Sequence, residues 1–167
     1  MKKRNNLWAP WRMAYIESME KELSGEKGCI FCDKKNADDK TAFIVAKGEL
    51  SYAMLNIFPY NNGHLLFAPY DHLADTDDLS ERHLAEIFDM ISGFKKKIKE
   101  KMKCDGFNLG VNLGRVSGAG VEDHVHFHLV PRWNGDTNFM PILADAKVVP
   151  QSLERTWEML KEKKNQK

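Results

Sequence analysis

Three histidines alternate with apolar residues in the segment GVEDHVHFHLVPRW, which spans residues 120–133. His124, His126 and His128 account for half of the six histidines in the 167-residue chain. If DHVHFHLV forms a β-strand, the three side chains share one face, and neighbouring Cα atoms on that face lie about 6.5 Å apart. Imidazole titrates near neutral pH, and both ring nitrogens can hold a metal or take part in acid–base and nucleophilic chemistry. The spacing therefore predicts a functional site whose imidazoles face outward while the intervening apolar side chains pack on the core.

The alternative interpretation is a solvated strand face that happens to be rich in histidine. Alternation of polar and apolar residues is typical of any half-buried strand and does not by itself indicate a site. However, lysine, glutamate or threonine would fill a solvated face equally well, and none of them titrates near neutral pH. We therefore favour metal binding, or acid–base and nucleophilic chemistry, over a purely structural role.

The composition is that of an ordinary soluble globular domain. Hydrophobic residues make up 43% and charged residues 29% of the chain, and the net charge is +1. This near-neutral balance argues against nucleic acid or an anionic membrane as the main partner. The apolar runs are too short to span a bilayer, and the start, MKKRNNLWAPWRM, lacks the apolar stretch of an export signal. Three cysteines, including a C-x-x-C pair, suit a reducing environment better than a disulfide scaffold, so we expect a cytoplasmic protein.

Five segments with β-strand character surround one long helical segment. The predicted strands are TAFIVAK (41–47), SYAMLN (51–56), HLLFAP (64–69), GFNLGVNL (106–113) and DHVHFHLV (123–130). Between the third and fourth strands, apolar residues recur every three or four positions and predict a helix from Leu79 to Met102, with Ser80 as N-cap. The short turns between strands predict an antiparallel sheet of about five strands in an α+β domain.

Further helices are predicted at both ends of the chain. APWRMAYIESMEKEL has an amphipathic pattern near the start, and Gln151–Lys164 has one near the end. We therefore divide the chain into an N-terminal helical extension (1–28), a central domain (29–149) and a C-terminal helix with its tail (150–167). The apolar stripe from Leu84 to Ile98 on the long helix fits docking on its own sheet and, equally, an interface between two subunits.

The pattern His-φ-His-φ-His-φ-φ, present here as HVHFHLV and followed by PR, resembles the signature of the histidine triad (HIT) nucleotide hydrolases and transferases. The supporting positions extend this match over residues 29–133. The segments LWAPWR, LNIFPYNNGH and PRWNGDTNF look closest to a bacterial and archaeal branch described as diadenosine tetraphosphate phosphorylases or hydrolases. The resemblance implies a HIT-like α+β fold, a homodimer, and a purine nucleotide or dinucleoside polyphosphate as the bound molecule.

The resemblance also implies roles for individual histidines. His126 matches the nucleophile that attacks the α-phosphorus and forms a nucleotidyl-histidine, and its other ring nitrogen is expected to donate to a backbone carbonyl. His128 is expected to bind the phosphate and to assist proton transfer to the leaving group. His64 matches an earlier family histidine beside the nucleophile, although a lone strand histidine can also be a core residue. Outside this set, His83 is predicted to be solvated and Cys104 to be buried.

Other positions match substrate contacts of the family. Asn56 matches the position that holds the ribose hydroxyls, and its amide can both donate and accept hydrogen bonds. Ile30 and Phe31 match an apolar pair that packs on the base, although Phe31 alone fits a core residue equally well. The predicted phosphate contacts lie in the loop before the triad, where glycines let backbone N–H groups approach an anion: Asn112, Ser117, Gly118 and Gly120. Because the chain has GVED where well-known members carry Gln or Ser, Ser117 is our candidate for the side chain that holds the phosphate.

The C-x-x-C pair, Cys29 and Cys32, fits two small core residues, a redox pair or half of a metal site. A thioredoxin-like redox pair would need a βαβ context, which is absent from the predicted elements. Two thiolates and two imidazoles make a closed tetrahedral zinc site, for which His72 and His124 are the available imidazoles, and some bacterial family members resemble this arrangement. We therefore expect a structural zinc, which would leave His126 and His128 as the reactive pair.

Three functions remain in competition. The first is an enzyme that cleaves dinucleoside polyphosphates or other adenylated substrates through a nucleotidyl-histidine, by hydrolysis or phosphorolysis. The second is a non-catalytic purine-nucleotide-binding module with a structural zinc, and the third is a zinc-held interaction scaffold. The intact set of His126, His128, His64 and Asn56 favours the enzyme, because a binding module needs no nucleophile. A requirement for magnesium is left open, since histidines and backbone donors can neutralise phosphate charge without it.

Overall fold

The structure, a computed structural model, describes residues 28–137 and 149–162. Residues 29–136 and 149–162 belong to one compact unit. The predicted N-terminal helical extension lies outside the described residues except for Gly28, as does the predicted C-terminal helix beyond Glu162. The elements, in chain order, are helix α1 (Ile30–Lys34), strands β1 (Ile44–Lys47), β2 (Ser51–Leu55) and β3 (Leu65–Pro69), helix α2 (Glu81–Met102), strands β4 (Gly106–Val111) and β5 (Phe127–Arg132), and helix α3 (Leu153–Leu160).

The five strands form one antiparallel sheet in the order β1-β2-β3-β5-β4. The predicted α+β fold with a five-stranded antiparallel sheet is therefore confirmed. Short turns join β1, β2 and β3, whereas α2 carries the chain from β3 to the far edge, where β4 begins. Strand β5 then returns between β3 and β4, so the strand that follows the histidines is paired on both sides.

Helix α2 packs on one face of the sheet because its apolar residues form a single stripe. Its buried apolar residues are Ile87, Ile91, Phe94 and Ile98. They share the main core cluster with Phe67 and Leu129 of the sheet, so the stripe docks on the sheet of its own chain. Ser80 is the N-cap, as predicted, and Lys103 ends the helix by adopting a left-handed backbone with φ of 52°.

His83 is buried and not solvated, contrary to the prediction. Its exposed fraction is 8%. Its Nδ1 accepts a hydrogen bond from the backbone N–H of Ser80 at 3.3 Å, which completes a capping box at the start of α2. Helical periodicity assigned His83 to the polar side, but the need to satisfy a free N–H at the helix start turns the ring inward. Cys104, which follows the helix, is buried as predicted.

Helix α3 also packs against the main core. Ser152 caps its start, and Trp157 and Leu160 are buried in the main cluster. The indole N–H of Trp157 donates to the carbonyl of Ile44 at 2.7 Å, which ties the helix to β1. The predicted C-terminal helix is therefore confirmed, in a form shorter than the predicted 151–164. No helix among the described residues combines the length and apolarity needed to cross a membrane.

Candidate active site

The three histidines run along the edge of a second, smaller core, on the other side of the sheet from α2. Strand β5 begins at Phe127, so His124 and His126 lie in the segment before the strand, and the prediction that all three belong to it is wrong. The predicted alternation still holds, because Val125, Phe127 and Leu129 pack in the main core with α2. The side chains therefore alternate between the two faces of the sheet already in the segment before β5 begins.

The imidazoles of His124 and His126 do not face solvent, which is a second difference from the prediction, whereas His128 is half-buried. His124 is fully buried, and His126 has an exposed fraction of 5%. The ring of Phe31, on α1, covers both, with centroid distances of 5.0 Å to His124 and 4.7 Å to His126. The short helix α1 was not predicted, because five residues are too few to show a helical period.

His126 has its two ring nitrogens in different environments. Its Nδ1 lies 2.8 Å from the backbone carbonyl of His124, and a carbonyl can only accept, so Nδ1 carries the proton. Burial lowers the pKa of His126, which keeps the ring neutral at pH 7. Its Nε2 therefore holds a lone pair, and it makes no hydrogen bond to any residue that the structure describes. This is the protonation state that a nucleophilic imidazole needs.

The protonation of His64 and His128 follows from one backbone donor. The N–H of Tyr60 donates to Nδ1 of His64 at 3.0 Å, so that nitrogen holds a lone pair and the proton of His64 is on Nε2. Nε2 of His64 lies 2.9 Å from Nδ1 of His128 and therefore donates to it. His128 in turn carries its proton on Nε2. The pair therefore presents the Nε2–H of His128 as a donor. The lone pairs on Nδ1 of His64 and on Nδ1 of His128 both accept hydrogen bonds.

His128 is neutral at pH 7 in this structure and carries a donor on Nε2. Burial lowers its pKa to about 4, with a further contribution from the neighbouring His126. Its Nε2 is buried and has no hydrogen-bond partner within the described part of the chain. A buried donor without a partner costs about 1–3 kcal/mol, which an acceptor on a bound ligand would relieve. The expected role of His128 in phosphate binding and proton transfer stays a prediction, and its Nε2–H is the atom available for it.

Asn56 supports the turn that carries His64. Its Oδ1 accepts from the backbone N–H of Phe58 at 2.9 Å, and its Nδ2 lies 3.3 Å from Nδ1 of His64. These contacts fix the orientation of the amide. One N–H and one lone pair remain on the Asn56 side chain, which is the donor–acceptor combination that a ribose diol requires.

The predicted base-contacting pair is split between two environments. Phe31 is buried against the imidazoles of His124 and His126, and it has no exposed ring face on which a base can stack. Phe31 is therefore a core residue of the site in this structure. Ile30 is half-buried and packs at the margin of the smaller core cluster, where part of its side chain stays accessible.

The loop before the triad is closed by its own hydrogen bonds. The hydroxyl of Ser117 donates to the carbonyl of Gly114 at 2.7 Å, and the amide of Asn112 donates to the carbonyl of Gly118 at 3.5 Å. Gly118 has φ of 91°, which favours glycine at this position. Gly120 is half-buried. None of these residues makes a side-chain hydrogen bond to a described histidine, so their contact with phosphate stays a prediction.

The four predicted metal-binding residues lie together: the ligand atoms of Cys29, Cys32, His72 and His124 are all within 4.8 Å of one another. Nδ1 of His124 is 3.2 Å from Sγ of Cys29 and 3.7 Å from Sγ of Cys32. Nδ1 of His72 is 3.4 Å from Sγ of Cys32. A tetrahedral zinc with ordinary bond lengths separates its sulfur and nitrogen ligands by about 3.6 Å. The cluster therefore has the dimensions of a zinc site.

The protonation of this cluster also suits a metal. Nε2 of His124 donates to the carbonyl of Pro69 at 3.0 Å, which leaves the lone pair on Nδ1, the atom that faces the two thiols. Burial lowers the pKa of His124 to about 4, so the ring stays neutral. Burial also raises the pKa of the Cys29 thiol, and a cation between the residues would favour the thiolate instead. Two sulfur and two nitrogen ligands are the donor set of closed structural zinc sites.

Tyr60 is a residue of the site that the sequence analysis missed. Its ring lies nearly parallel to that of His128, with an interplanar angle of 8° and a centroid distance of 5.8 Å, and it is 4.7 Å from the ring of His64. Its backbone N–H sets the protonation of His64. Its position in the turn PYNNG, four residues before His64, was the available signal.

An antiparallel α+β fold with three alternating histidines at the head of a central strand defines the histidine triad proteins. The chain belongs to the HIT domain family, whose model matches residues 37–135. The match covers all five strands and the three histidines of the triad, and it ends at Gly135.

Several named relatives and solved structures are similar to the chain. An AP-4-A phosphorylase from Mycobacterium tuberculosis is 37% identical over 158 residues, which cover 92% of this chain and 81% of that protein. An adenosine 5′-monophosphoramidase from Schizosaccharomyces pombe is 36% identical over 106 residues, covering 64% and 75%. The crystal structure of a Zn-bound histidine triad family protein from Mycobacterium smegmatis superposes with a TM-score of 0.64 at 26% identity, covering 80% of this chain and 90% of the other.

Proposed function

We propose that this protein cleaves dinucleoside polyphosphates such as diadenosine tetraphosphate, or other adenylated compounds, through a nucleotidyl intermediate on His126. The observation that carries this proposal is the fixed ring of His126, whose Nδ1–H is held by the His124 carbonyl and whose Nε2 lone pair has no hydrogen-bond partner among the described residues. The relatives named AP-4-A phosphorylase and adenosine 5′-monophosphoramidase support an adenylated substrate.

In the first step, the Nε2 lone pair of His126 forms a bond to the α-phosphorus, and the bond from that phosphorus to the bridging oxygen breaks. The electron pair leaves with this oxygen, so a polyphosphate anion departs and needs no proton. The imidazole becomes positively charged, and the His124 carbonyl stabilises this charge through the Nδ1–H. The Nε2–H of His128, which has no partner among the described residues, donates to a phosphate oxygen as charge develops there.

The other predicted substrate contacts complete the site in this proposal. Asn56 holds the ribose hydroxyls with its remaining N–H and lone pair. Ile30 borders the base. The phosphate lies against the loop 112–120. Its proposed contacts there are backbone N–H groups and the residues Asn112, Ser117, Gly118 and Gly120.

We further propose that inorganic phosphate, and not water, is the preferred acceptor in the second step. Water must lose a proton when it attacks, but the lone pairs of His64 and His128 are already used as acceptors, so this pair offers no base. Inorganic phosphate carries anionic oxygens at neutral pH and needs no base. Its attack on phosphorus breaks the P–N bond, returns the electron pair to Nε2 of His126, and releases a nucleoside diphosphate.

Product analysis tests both parts of this proposal. With diadenosine tetraphosphate and millimolar inorganic phosphate, we expect ATP and ADP in equal amounts, and a much lower rate when phosphate is omitted. AMP in place of ADP under the same conditions would replace phosphorolysis with hydrolysis. If neither diadenosine tetraphosphate nor any other adenylated compound in a panel is cleaved, and nucleotide still binds, the alternative of a non-catalytic nucleotide-binding module with a structural zinc replaces the enzyme.

We propose zinc as a structural ion held by Cys29, Cys32, His72 and His124. The donor set, the separations of the ligand atoms and the protonation of His124 support it, and so does the similarity to a Zn-bound family member. The ion would join α1 to the segment before His126 and supply no chemistry to the reaction. Thiolates that hold zinc must stay reduced, and a C-x-x-C pair of this kind fits the cytoplasm as the location; cell fractionation checks it.

We propose a homodimer that uses the free edge of β4. Within residues 28–137 and 149–162 this strand pairs only with β5, and its central residues from Asn108 to Gly110 are exposed, including the apolar side chain of Leu109. An exposed edge with an apolar side chain is a template for pairing with a second strand. In sedimentation velocity we expect the full chain to run as a dimer and Leu109→Lys to run as a monomer. Val116→Lys, at a fully exposed apolar residue outside the strand, should remain a dimer; a wild-type monomer contradicts the proposal.

A further inference from the structure

We infer that Asp136 is a positioning residue that acts through Asn61. It fixes the protonation of the histidine pair, His64 and His128, and so favours inorganic phosphate over water as the acceptor. The inference rests on the proposed function and adds to it a residue outside the HIT match, which ends at Gly135. Two observations carry it: the hydrogen bonds that hold the Asn61 side chain, and the place of Asn61 beside the backbone donor that sets the protonation of the pair.

Asn61 is buried, with an exposed fraction of 5%, and both N–H groups of its side chain have acceptors. One donates to the carbonyl of Pro131, near the end of β5, at 3.1 Å, and the other donates to Oδ2 of Asp136 at 2.8 Å. Its Oδ1 accepts from the backbone N–H of Asn62 at 3.1 Å, and its backbone carbonyl accepts from the N–H of His64 at 3.2 Å. Asn61 therefore ties the turn before β3 to the end of β5.

The carboxylate of Asp136 is fixed by its own segment of the chain. Its Oδ2 accepts from Nε of Arg132 at 2.6 Å and from the backbone N–H of Trp133 at 3.2 Å, and its Oδ1 accepts from Nη2 of Arg132 at 2.8 Å. The side chain of Asp136 is 9% exposed, so water has little access to the bond with Asn61. Because hydrogen bonds to a carboxylate are stronger than those to a neutral acceptor, Asp136 is the main support of the Asn61 amide.

Asn61 directly follows the residue whose N–H sets the protonation of the pair. The N–H of Tyr60 lies 3.0 Å from Nδ1 of His64, and Nδ2 of Asn56 lies 3.3 Å from the same nitrogen. While the shorter contact is held, His64 donates through Nε2 to His128, which presents its own Nε2–H. If the turn moves and the Tyr60 N–H is withdrawn, the pair can adopt the reversed arrangement, in which Nε2 of His64 accepts from Nδ1–H of His128. Nε2 of His128 then holds a lone pair.

The two arrangements of the pair differ in the acceptor that they allow. With a proton on Nε2, His128 donates to a phosphate oxygen and cannot take a proton. With a lone pair on Nε2, it takes the proton that water loses as the water oxygen bonds to the phosphorus of the nucleotidyl intermediate. The P–N bond breaks, its electron pair returns to Nε2 of His126, and AMP is released in place of ADP. Asp136 favours the first arrangement and therefore favours phosphate.

The ¹⁵N chemical shifts of the histidine ring nitrogens in the ligand-free full chain test the inference without turnover. In wild type we expect Nε2 of His128 to carry the proton. In Asp136→Ala we expect the fraction of chains with an unprotonated Nε2 to rise about fivefold, as when one neutral hydrogen bond no longer favours one arrangement. With diadenosine tetraphosphate and a fixed concentration of inorganic phosphate, the ratio of AMP to ADP should rise by the same factor.

Two further variants separate the contact with Asn61 from general disturbance. Asp136→Asn keeps an oxygen for the Asn61 N–H and should leave both readouts within about twofold of wild type. Asp105→Ala is the matched control, because Oδ2 of Asp105 accepts from the backbone N–H of Asn134 at 2.7 Å, in the same turn as Asp136. It should change neither readout. The turn before β3 should stay folded in Asp136→Ala, because the side chain of Asn62 holds it to α3 and the segment before it through Thr156 and Gln151.

An Nε2 of His128 that keeps its proton fully in Asp136→Ala overturns the inference, whatever the rate of cleavage. Equal changes in Asp105→Ala also overturn it, because any disturbance of the turn would then suffice. If the shifts change as expected but the product ratio does not, Asp136 positions the pair without choosing the acceptor, and that half of the inference is wrong. If wild-type protein cleaves nothing, the proposed function fails together with the choice of acceptor, while the shifts still decide whether Asp136 positions the pair.

Discussion

Replacement of His126 by asparagine is expected to lower kcat/KM for diadenosine tetraphosphate about 10⁵-fold, because the covalent route is lost. The side-chain amide nitrogen of asparagine takes the place of Nδ1 and can still donate to the His124 carbonyl. Nothing replaces Nε2. The variant should therefore fold and bind nucleotide as wild type does, and steady-state rates together with calorimetric binding of the substrate measure the two properties separately.

His83→Asn is the matched control for this substitution. His83 is a second buried histidine, with an exposed fraction of 8% against 5% for His126, and it lies outside the triad. Its Nδ1 acts only as an acceptor in the capping box, a task that an asparagine oxygen can perform. We expect its activity to stay within about threefold of wild type, since this substitution touches no reacting group. Turnover above one per cent in His126→Asn would mean that the acceptor attacks the substrate directly.

Removal of a thiol from the Cys2His2 cluster is expected to produce the largest loss of stability. For Cys32→Ser we expect less than one zinc per ten chains and a Tm lowered by about 10 °C or more, since zinc binding contributes directly to folding free energy and 1 kcal/mol corresponds to about 2–4 °C at this chain length. Zinc content is measured by atomic absorption and Tm by calorimetry. A chelator should lower the Tm of wild type to a similar value and leave that of the variant unchanged.

Cys104→Ser provides the comparison, because it removes a buried thiol that is not part of the cluster. It should lower Tm through its own core packing but retain the full zinc content. Affinity for nucleotide should change far less in Cys32→Ser than Tm does, because none of the four ligand side chains is itself a proposed substrate contact. A variant with normal zinc content and weakened nucleotide binding would instead place Cys32 in the substrate pocket.

Periodicity predicted those parts of the fold in which one residue type repeats. The long helix, its N-cap at Ser80 and the antiparallel sheet follow from spacings of three to four and of two residues. The cluster of Cys29, Cys32, His72 and His124 was predicted because thiols and imidazoles in this number fit one kind of metal site. In each case the local pattern and the final environment agree.

The differences arise where a single contact between distant segments decides the environment. Phe31 lies in a five-residue helix, and only its packing on His124 and His126 makes it a core residue. The inward turn of His83 depends on one unsatisfied N–H at the start of α2. The role of Tyr60 depends on a backbone donor and a parallel ring, neither of which leaves a repeating signal in the sequence.

The central place of β5 in the sheet has a consequence for how activity is lost. Its ladder to β4 runs over six residue pairs and its ladder to β3 over three, so this strand cannot fray from an edge. Amide hydrogens of Leu129 and Val130 should exchange with solvent only when the whole unit opens, among the slowest in the protein. His126 immediately precedes this strand. We therefore expect the proposed nucleophile to keep its position until the whole unit opens, so that activity and cooperative structure are lost in the same transition on heating.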